Sequence, residues 1–293
     1  MTYGITGNTT KDQLWEPVSE LVKWLSRRGS SFVLATPLAE GLVERDLASR
    51  ELCVRHSALD LATTADIILS FGGDGTLLNT AHFVGRHGTP ILGINMGRLG
   101  FLADTEVEQM RSAVDEIERG KYRVEERMVL HVQVESGHVH EERWSLNEVV
   151  LQRSGISGLI AIDVDVDGTR LNTYWADGLI CATPTGSTAY SLAAGGPILA
   201  PGCSSIVLTP LAPHTLTVRP VVLPDTSTIR VRVRNPDLAH VVSMDGRSIV
   251  FEHSETLVTI TRAGHSVRLV RLLDQHFFQT IRTKLMWGLR KES

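Results

Sequence analysis

Apolar and polar residues follow two different periodicities along this chain of 293 residues. In the first third, short apolar runs alternate with segments whose apolar residues recur every three or four positions, which predicts strands that alternate with helices. That alternation favours a parallel sheet covered by helices on both faces. The predicted strands are Tyr3–Gly7, Ser31–Ala35, Ala65–Phe71 and Pro90–Asn95, and the predicted helices are Leu14–Arg28, Gly75–Arg86 and Thr105–Arg119.

In the second part of the chain, apolar and polar residues alternate one by one, as in Met128–Glu135, Leu159–Asp167 and Ile229–Val233. Turn-forming residues separate these runs at short intervals, and such spacing predicts an all-β domain built as a sandwich or a related stack of sheets. The last stretch, Phe277–Leu289, returns to helical spacing. The pattern therefore predicts an α/β domain followed by an all-β domain, with the boundary near Glu126.

The composition is that of an ordinary globular protein, with 42% hydrophobic and 21% charged residues and a net charge of −4. Because nucleic-acid binding usually requires a basic surface, no nucleic-acid partner is expected. The three cysteines form no C-x-x-C pair, which argues against a disulfide framework and a zinc site. No apolar run reaches roughly 18 residues, and the first residues lack the pattern of a secretory signal. We therefore expect a cytoplasmic protein without a membrane partner.

The first candidate site lies in the sequence IILSFGGDGTLLN at residues 67–79. An apolar strand there runs into Gly72, Gly73 and Gly75, and Asp74 lies among these glycines. Taken alone, the pattern also fits a tight turn capped by an exposed aspartate. Three glycines exceed what a turn requires, however. Phosphoryl transfer needs backbone N–H groups for the donor phosphates and a carboxylate for the acceptor's proton, and this loop offers both.

Three further segments carry polar residues in unexpected places. Asn147 and Glu148 interrupt an apolar strand pattern, either as a strand end with a turn-forming Asn or as a polar pair that binds ribose hydroxyls or amide groups. The segment 183–191, TPTGSTAYS, is either a loop capped by its own hydroxyls or a surface for a flat base, with Tyr190 packed against that base. Taken alone, residues 243–247, SMDGR, predict a hairpin turn.

Together, these segments closely resemble the NAD kinase family. The motifs that carry the resemblance are GGDGT at 72–76, NE at 147–148, DGLI at 177–180, TPTGSTAYSLAAGGPI at 183–198 and DGR at 245–247. Diacylglycerol kinases, sphingosine kinases and phosphofructokinases share stretches similar to GGDG, whereas TPTGSTAYS after NE is specific. The resemblance covers the chain from Gly72 to its closing helix.

The resemblance implies a Rossmann-like N-terminal α/β domain and an all-β, sandwich-like C-terminal domain, with the chain end returning to the first domain. The first domain would comprise residues 1–126 and 276–293, and the second would comprise residues 127–275. A homodimer or homotetramer is also implied, in which the dinucleotide pocket lies between the domains and a neighbouring subunit completes it.

The resemblance further implies which residues contact the substrates ATP and NAD. They belong to the glycine loop, to polar positions of the β domain and to the segment that follows TPTG. The implied contact residues are Gly72, Gly73, Asp74, Gly75, Thr76, Asn147, Glu148, Gly158, Trp175, Asp177, Thr188, Ala189, Tyr190, Ser191, Leu192, Ala193 and Arg247. No residue is assigned as a metal ligand.

The implied reaction transfers the γ-phosphoryl group of ATP to the 2′-hydroxyl of the adenosine ribose of NAD, with NADP as product. Asp74 would receive the hydroxyl proton, and Mg²⁺ would neutralise the phosphate charge. Two alternatives use the same loop: a lipid kinase of the diacylglycerol type and a non-catalytic NAD(P)-binding regulator. The lipid kinase requires a pocket for acyl chains, and the regulator would bind its ligand without turnover.

Overall fold

The computed structural model describes residues 1–53, 55–56, 58–97, 100–155, 158–234, 239–252 and 255–287. The chain forms two compact units. Residues 1–126 together with residues 267–293 make up the first unit, and residues 127–266 make up the second. None of the helices within the described ranges has the length and apolar character that a membrane span needs.

The helices and strands follow one another along the chain in an order that reflects these two units. The first unit contains β1 (Thr2–Gly7), α1 (Trp15–Arg28), β2 (Ser31–Ala35), α2 (Thr36–Glu44), β3 (Arg55–His56), α3 (Ala58–Thr64), β4 (Ile67–Phe71), α4 (Asp74–Val84), β5 (Ile91–Asn95), β6 (Thr105–Glu106) and α5 (Met110–Glu118). Strand β7 (Tyr122–Ser136) enters the second unit, which contains β8 (Val139–Ser145), β9 (Glu148–Arg153), β10 (Ile160–Val166), β11 (Thr169–Ala176), β12 (Gly178–Ala182), α6 (Tyr190–Ala193), β13 (Ser205–Leu211), β14 (Val221–Pro224), β15 (Ile229–Val233), β16 (His240–Met244) and β17 (Arg247–Phe251). Strand β18 (Thr256–Leu272) returns to the first unit, where α7 (Phe277–Leu285) follows. Short 3-10 helices lie at Asp12–Leu14, Gly85–His87, Val107–Gln109 and Gly186–Thr188.

A parallel sheet forms the centre of the first unit, with the strand order β18-β5-β4-β1-β2-β3. Strands β4 and β5 are buried along their whole length, as expected for a parallel sheet covered on both faces. Helix α1 covers part of this sheet, because Val18, Leu21 and Leu25 recur at helical spacing and are fully buried. The carboxyl ends of β1, β4 and β5 therefore share one edge of the sheet.

Two antiparallel sheets form the second unit. One contains the strand order β11-β10-β15-β18, and the other has the order β14-β13-β12-β9-β16-β17. Residues 229–233 alternate between buried and exposed, as in a strand with one face on a core. Side chains of both sheets, such as Ile162 of β10 and Leu151 of β9, belong to one apolar cluster. The predictions of a parallel α/β domain and a sandwich-like β domain are both confirmed.

Most predicted elements are present with small shifts at their ends, and strands β2 and β15 have the predicted bounds. The helix predicted for Thr105–Arg119 is wrong at its start, because residues 105–106 pair with β5 and the α-helix begins only at Met110. Helices α2 and α3 were not among the predicted elements. The closing helix predicted for Phe277–Leu289 is α7; it ends at Leu285, and residues 288–289 lie outside the described residues.

Strand β18 determines where the chain re-enters the first unit. Its residues 256–260 pair with β15, and its Leu269 pairs with β5. The chain therefore re-enters the first unit at Val267, whereas the family resemblance predicts that it does so at residue 276. Because the single strand β18 passes from the second unit into the first, no turn and no change of composition marks the boundary in the sequence.

Candidate active site

The loop after β4 joins a buried strand to helix α4. Gly72 has φ 155°, and a Cβ atom on it would lie 2.2 Å from Thr76 Oγ1, so this position requires glycine. A Cβ atom on Gly73 or Gly75 would meet no heavy atom of the described residues within 4 Å. These two positions leave the backbone uncovered at the start of α4. The first N–H groups of a helix lack partners within the helix, and they bind phosphate readily.

A cavity of about 250 Å³ lies beside this loop. It is at the carboxyl ends of β1, β4 and β5, the edge where open α/β sheets bind nucleotides. Lys11 contributes a positive charge to the cavity, and Asn8 and Asn95 contribute amide groups. Gly72, Gly73 and Thr76 line it as well. The cavity therefore combines exposed backbone, amide groups and a cation, which suits a phosphorylated ligand.

The Asp74 carboxylate accepts hydrogen bonds from three consecutive backbone N–H groups. Oδ1 accepts from Leu102 and from Ala103, at 3.0 Å each, and Oδ2 accepts from Phe101 at 2.9 Å. A carboxylate has about four acceptor sites. As far as the described residues show, Oδ2 therefore keeps one site for a further donor, and 32% of the side chain is exposed. The carboxylate is fixed in position and remains accessible.

Arg271 holds the loop that binds Asp74. Its guanidinium group donates to the carbonyl oxygens of Leu102 (2.8 Å) and Phe101 (3.3 Å) and to the carboxylate of Asp104. Only 4% of the Arg271 side chain is exposed. Loss of either partner of a buried ion pair leaves an uncompensated charge, so such a pair constrains the segment strongly. Arg271 therefore acts on Asp74 through the backbone of this loop.

Lys284, on helix α7, brings a cation next to the same carboxylate. Its Nζ lies 3.8 Å from Asp74 Oδ2 and 4.2 Å from the centre of the Phe101 ring. Partial burial lowers the pKa of Lys284, and the negative charge of Asp74 opposes that shift. The glycine loop thus has an anionic group at its tip and a partly desolvated ammonium beside it.

The second group of predicted residues lies in the second unit and is organised by Asp245. Its Oδ1 accepts hydrogen bonds from the Ser145 hydroxyl (2.5 Å) and from the N–H groups of Asn147 (2.8 Å) and Glu148 (3.3 Å). Its Oδ2 accepts from the Leu146 N–H at 2.7 Å. These bonds fix the backbone of residues 145–148, between the end of β8 and the start of β9.

The side chains of Asn147 and Glu148 each present a buried acceptor. Asn147 Oδ1 and Glu148 Oε2 have no hydrogen-bond partner among the described residues. Burial, and next the charge of Asp245, raises the pKa of Glu148 to about 7, while the backbone N–H of Tyr190 lowers it. Buried acceptors without partners cost free energy, so this pair is a candidate place for the donors of a ligand.

Several hydroxyl groups of the segment 183–191 bond other groups of the protein. Two of these bonds stay within the segment, from Ser187 Oγ to Pro184 O (2.7 Å) and from Thr188 Oγ1 to Thr185 O (3.0 Å). Two others join it to neighbouring segments, Thr183 Oγ1 to Leu146 O (2.6 Å) and Ser191 Oγ with Thr209 Oγ1 (2.9 Å). A Cβ atom on Gly186 would lie 2.0 Å from Asn147 O, so this segment packs directly on the backbone of the Asn147–Glu148 pair. Tyr190 is 44% exposed, which leaves its ring available to a ligand.

Asp177 lies away from the Asn147–Glu148 pair. Glu148 pairs with Ala182, at one end of β12, whereas Asp177 precedes the other end. Five residues at 3.3 Å each separate them by roughly 16 Å along the strand. The Asp177 carboxylate also accepts a hydrogen bond from Arg153 at 2.7 Å. Of the other predicted contact residues, those exposed to solvent are Gly158, Trp175, Ala193 and Arg247, and those half-buried are Ala189 and Leu192.

Several residues of the site were not predicted. Asn8 follows β1 and Asn95 ends β5, and the position at the end of a parallel strand is a signal that could have identified them. The SMDGR pattern alone predicts a hairpin turn at Asp245, whereas this residue holds the Asn147–Glu148 backbone. Arg271 and Lys284 lie near the end of the chain, outside the motifs, and no local pattern connects them to the glycine loop.

Two family models match the chain. The model of the ATP-NAD kinase N-terminal domain matches residues 3–122, which contain the GGDGT loop. The model of the ATP-NAD kinase C-terminal domain matches residues 146–272, which contain the NE, TPTGSTAYS and DGR motifs. This second match favours a kinase that acts on a dinucleotide over a lipid kinase.

Relatives named NAD kinase match nearly the whole chain. The NAD kinase of Bacteroides fragilis is 41% identical over 292 residues, which are 98% of this chain and 98% of the relative. The NAD kinase of Geobacter sulfurreducens is 40% identical over 273 residues, or 93% of each chain. The NAD kinase of Moorella thermoacetica is 37% identical over 287 residues, or 97% of this chain and 89% of the relative.

Two solved structures share the fold. A yeast NADH kinase complexed with NADH has a TM-score of 0.90 over 100% of this chain and 90% of that chain. An NAD kinase from Archaeoglobus fulgidus in complex with ATP has a TM-score of 0.74 over 98% of this chain and 99% of that chain. Both are 24% identical to this sequence, so the likeness is one of fold.

Proposed function

The chain belongs to the NAD kinase family, and we propose that Asp74 is the general base of its reaction. The enzyme transfers the γ-phosphoryl group of ATP to the 2′-hydroxyl of the adenosine ribose of NAD, which gives NADP and ADP. The role of Asp74 is supported by the three backbone N–H groups that hold its carboxylate and leave one acceptor site on Oδ2. A general base needs this combination of a fixed position and an open lone pair.

In the proposed step, the ribose 2′-oxygen attacks the γ-phosphorus of ATP. A bond forms between that oxygen and the γ-phosphorus, while the bond to the oxygen that bridges the γ- and β-phosphorus breaks. ADP leaves with the electron pair of the broken bond, and the hydroxyl proton passes to Asp74 Oδ2. Positioning and charge stabilisation supply most of the acceleration in such transfers.

We expect the ATP phosphates to bind at the start of helix α4. Gly73 and Gly75 leave the backbone uncovered there, and the adjoining cavity contains Lys11. Oriented N–H groups at a helix start stabilise phosphate charge without a large reorganisation. Thr76 and the amides of Asn8, Gln13 and Asn95 are further polar groups that the donor nucleotide could contact.

We expect the Asn147–Glu148 pair to bind NAD. Hydroxyl or amide donors of the ligand would satisfy Asn147 Oδ1 and Glu148 Oε2, which lack partners among the described residues. The backbone N–H of Tyr190 donates to the Glu148 carboxylate. The exposed Tyr190 ring therefore offers an aromatic surface near Glu148. Contacts of Gly158, Trp175, Asp177, Arg247 and the segment 188–193 with the dinucleotide are proposed on the family resemblance.

Magnesium is proposed as the metal that accompanies ATP. The described residues contain no cluster of three or more His, Cys, Asp or Glu side chains that could hold a metal ion. Mg²⁺ usually keeps several waters and binds one or two carboxylates together with substrate phosphates. The one acceptor site left on Asp74 Oδ2 is taken by the hydroxyl proton, so the ATP phosphates and water would hold the ion. When bound, Mg²⁺ would neutralise charge on the phosphates.

We also propose a homodimer or homotetramer in the cytoplasm. Val222 on β14 and Val250 on β17 are 48% and 57% exposed at the two edge strands of one sheet, which offers apolar area for a second copy. Cys181 and Cys203 form no disulfide within the described chain, as is usual in a reducing compartment. Size-exclusion chromatography at working concentration tests the assembly, and a fully active monomer would contradict it.

The activity is tested by incubating the protein with ATP, Mg²⁺ and either NAD⁺ or NADH, and by following NADP(H) formation. NADP(H) and ADP should form in equal amounts. Binding of NAD without turnover under all these conditions would favour the non-catalytic regulator. Phosphorylation of dispersed diacylglycerol in place of NAD would favour the lipid kinase.

A further inference from the structure

The ammonium group of Lys284 is held at the open side of the Asp74 carboxylate. Its Nζ lies 3.8 Å from Oδ2, the oxygen that accepts one backbone hydrogen bond, from Phe101, within the described chain. The same Nζ lies over the Phe101 ring at 4.2 Å, and the aromatic face attracts the cation. The side chain is 22% exposed, so Lys284 is ordered against the loop rather than extended into solvent.

A purely structural ion pair does not explain this arrangement well. Asp74 already accepts three backbone hydrogen bonds, and 3.8 Å is too long for a fourth. Exposed ion pairs generally add little stability. Burial lowers the pKa of Lys284, which means that the fold holds the ammonium where it is partly desolvated. The position therefore has a cost that the ion pair alone does not offset.

The glycine loop lacks a cation of its own. In the P-loop, a lysine within the loop contacts the phosphates of the nucleotide. Residues 72–76 contain no lysine, and helix α4 begins with the negative charge of Asp74. Lys11 lines the neighbouring cavity, whereas Lys284 lies beside the oxygen that is to receive the proton. A cation at this second position would lie next to the group being transferred.

We propose that Lys284 is a catalytic residue of the phosphoryl transfer, whose ammonium group moves from the Asp74 carboxylate to the γ-phosphoryl oxygens of bound ATP. The proposal rests on the proposed function of Asp74. In its new position the ammonium stabilises charge on the transferred group. The same movement takes a positive charge away from Asp74 as it receives the hydroxyl proton. Lys284 stays protonated throughout, so the atoms and charges of the reaction are unchanged.

The test compares Lys284→Met, which keeps the length of the side chain and removes its charge, with Lys284→Arg, which keeps the charge. Arg282→Met is the matched control, since it removes one exposed positive charge from the same helix. We expect kcat at saturating ATP and NAD to fall by about 10–100-fold in Lys284→Met, a smaller loss than that of a dedicated oxyanion donor. The Arg variant should recover part of this loss, and the KM for NAD should change little.

Thermal melts of all three variants separate catalysis from folding. A lower Tm with unchanged kcat per folded molecule would make Lys284 a structural residue and overturn the proposal, as would a normal kcat at a normal Tm. If Lys284→Met does not fold, Lys284→Gln replaces it under the same criteria. Failure of the wild-type protein to form NADP refutes the proposed function itself, whereas an active wild type with an equally active Lys284→Met refutes the role of Lys284 alone.

Discussion

Two aspartates of this protein make the same local hydrogen-bond pattern, and we propose different roles for them. Asp74 accepts hydrogen bonds from the N–H groups of residues 101–103, and Asp245 accepts them from residues 146–148. In the first unit, we propose that the aspartate is the reactive group, and the loop supports it. In the second unit, the aspartate supports the loop, whose Asn147 and Glu148 we propose as binding groups.

The two aspartates differ in which nearby acceptor atoms are left without a described hydrogen-bond partner. The Asp74 side chain is 32% exposed, and its Oδ2 keeps an acceptor site as far as the described residues show. Around Asp245, the buried acceptors without described partners are those of Asn147 and Glu148. An Asp-Gly pair therefore does not by itself identify a catalytic base. Our proposal for Asp74 depends instead on which polar groups around the pair have hydrogen-bond partners and which do not.

Replacing Asp74 with asparagine should give the largest effect, because the variant loses the base while keeping its size. We expect kcat to fall by about 10²–10⁴-fold. The free energy of unfolding should fall by roughly 1–3 kcal/mol, since one amide of Asn would leave an N–H group of the 101–103 loop without an acceptor. Steady-state kinetics and thermal melts measure both, with the exposed Asp274→Asn as control. A near-normal kcat would show that Asp74 is not the base.

The double variant Asn147→Ala, Glu148→Ala tests the other side of the comparison. Affinity for NAD should weaken by roughly 1–3 kcal/mol for each lost partner, while affinity for ATP should change much less. The stability of the unliganded protein should change little, because two buried acceptors without described partners are removed while the Tyr190 N–H loses its acceptor on Glu148. Isothermal titration and thermal melts give these values. Retained NAD affinity would move the acceptor site elsewhere.

Replacing Asp245 with asparagine should affect binding and stability but not chemistry. The amide group cannot accept all the N–H bonds of residues 146–148, so we expect a loss of roughly 1–3 kcal/mol in the free energy of unfolding. The KM for NAD should rise as the Asn147–Glu148 backbone loosens, and kcat at saturating NAD should stay close to normal. A fall in kcat as large as that of Asp74→Asn would remove the distinction between the two aspartates.

The smallest effect is expected from the titration of Glu148. Its pKa of about 7 in the folded protein exceeds that of an ordinary glutamate, so the unliganded protein takes up a proton that the unfolded chain lacks between about pH 4.5 and 7. The stability that protonated Glu148 contributes is therefore fully present below this window and is lost as the pH rises through it. Glu148→Gln should lack this loss. Between pH 5 and pH 8, its free energy of unfolding should therefore rise by about 1–2 kcal/mol relative to that of the wild type. Melts of both proteins across pH 5–8 measure the difference, and parallel curves would contradict it.

Much of the fold could be predicted from local pattern, because the elements that matter most are strongly periodic. The alternation in Ile229–Val233 and the apolar run that ends at Phe71 both report burial directly. The helix predicted from Thr105 failed at its start, because pairing with the end of β5 overrides helical spacing there. The return point near Val267 was missed because one straight strand crosses it.

The parts of the candidate site that could be predicted from the sequence are those in which the functional residues are adjacent in a short motif. The GGDGT and NE motifs gave Asp74, Asn147 and Glu148, which the structure surrounds with directed hydrogen bonds or leaves with open acceptors. The roles of Arg271 and Lys284 depend on contacts between residues distant in sequence, which no single-sequence pattern contains. The hydroxyls of the segment 183–191 look like ligand groups in sequence, yet several of them bond the segment itself or neighbouring segments of the protein.

The return of the chain to the first unit has a consequence for protein synthesis. Arg271, which holds the loop around Asp74, and the part of β18 that pairs with β5 are made by the ribosome after the whole second unit. Domains usually fold during translation in the order of their synthesis. Here residues 1–126 cannot complete their sheet until residue 272 has emerged, although residues 127–266 are already available. A chain whose translation stops within the second unit therefore contains the GGDGT motif without Arg271 to hold the loop around Asp74. If Asp74 is the base, as we propose, such a fragment should be inactive.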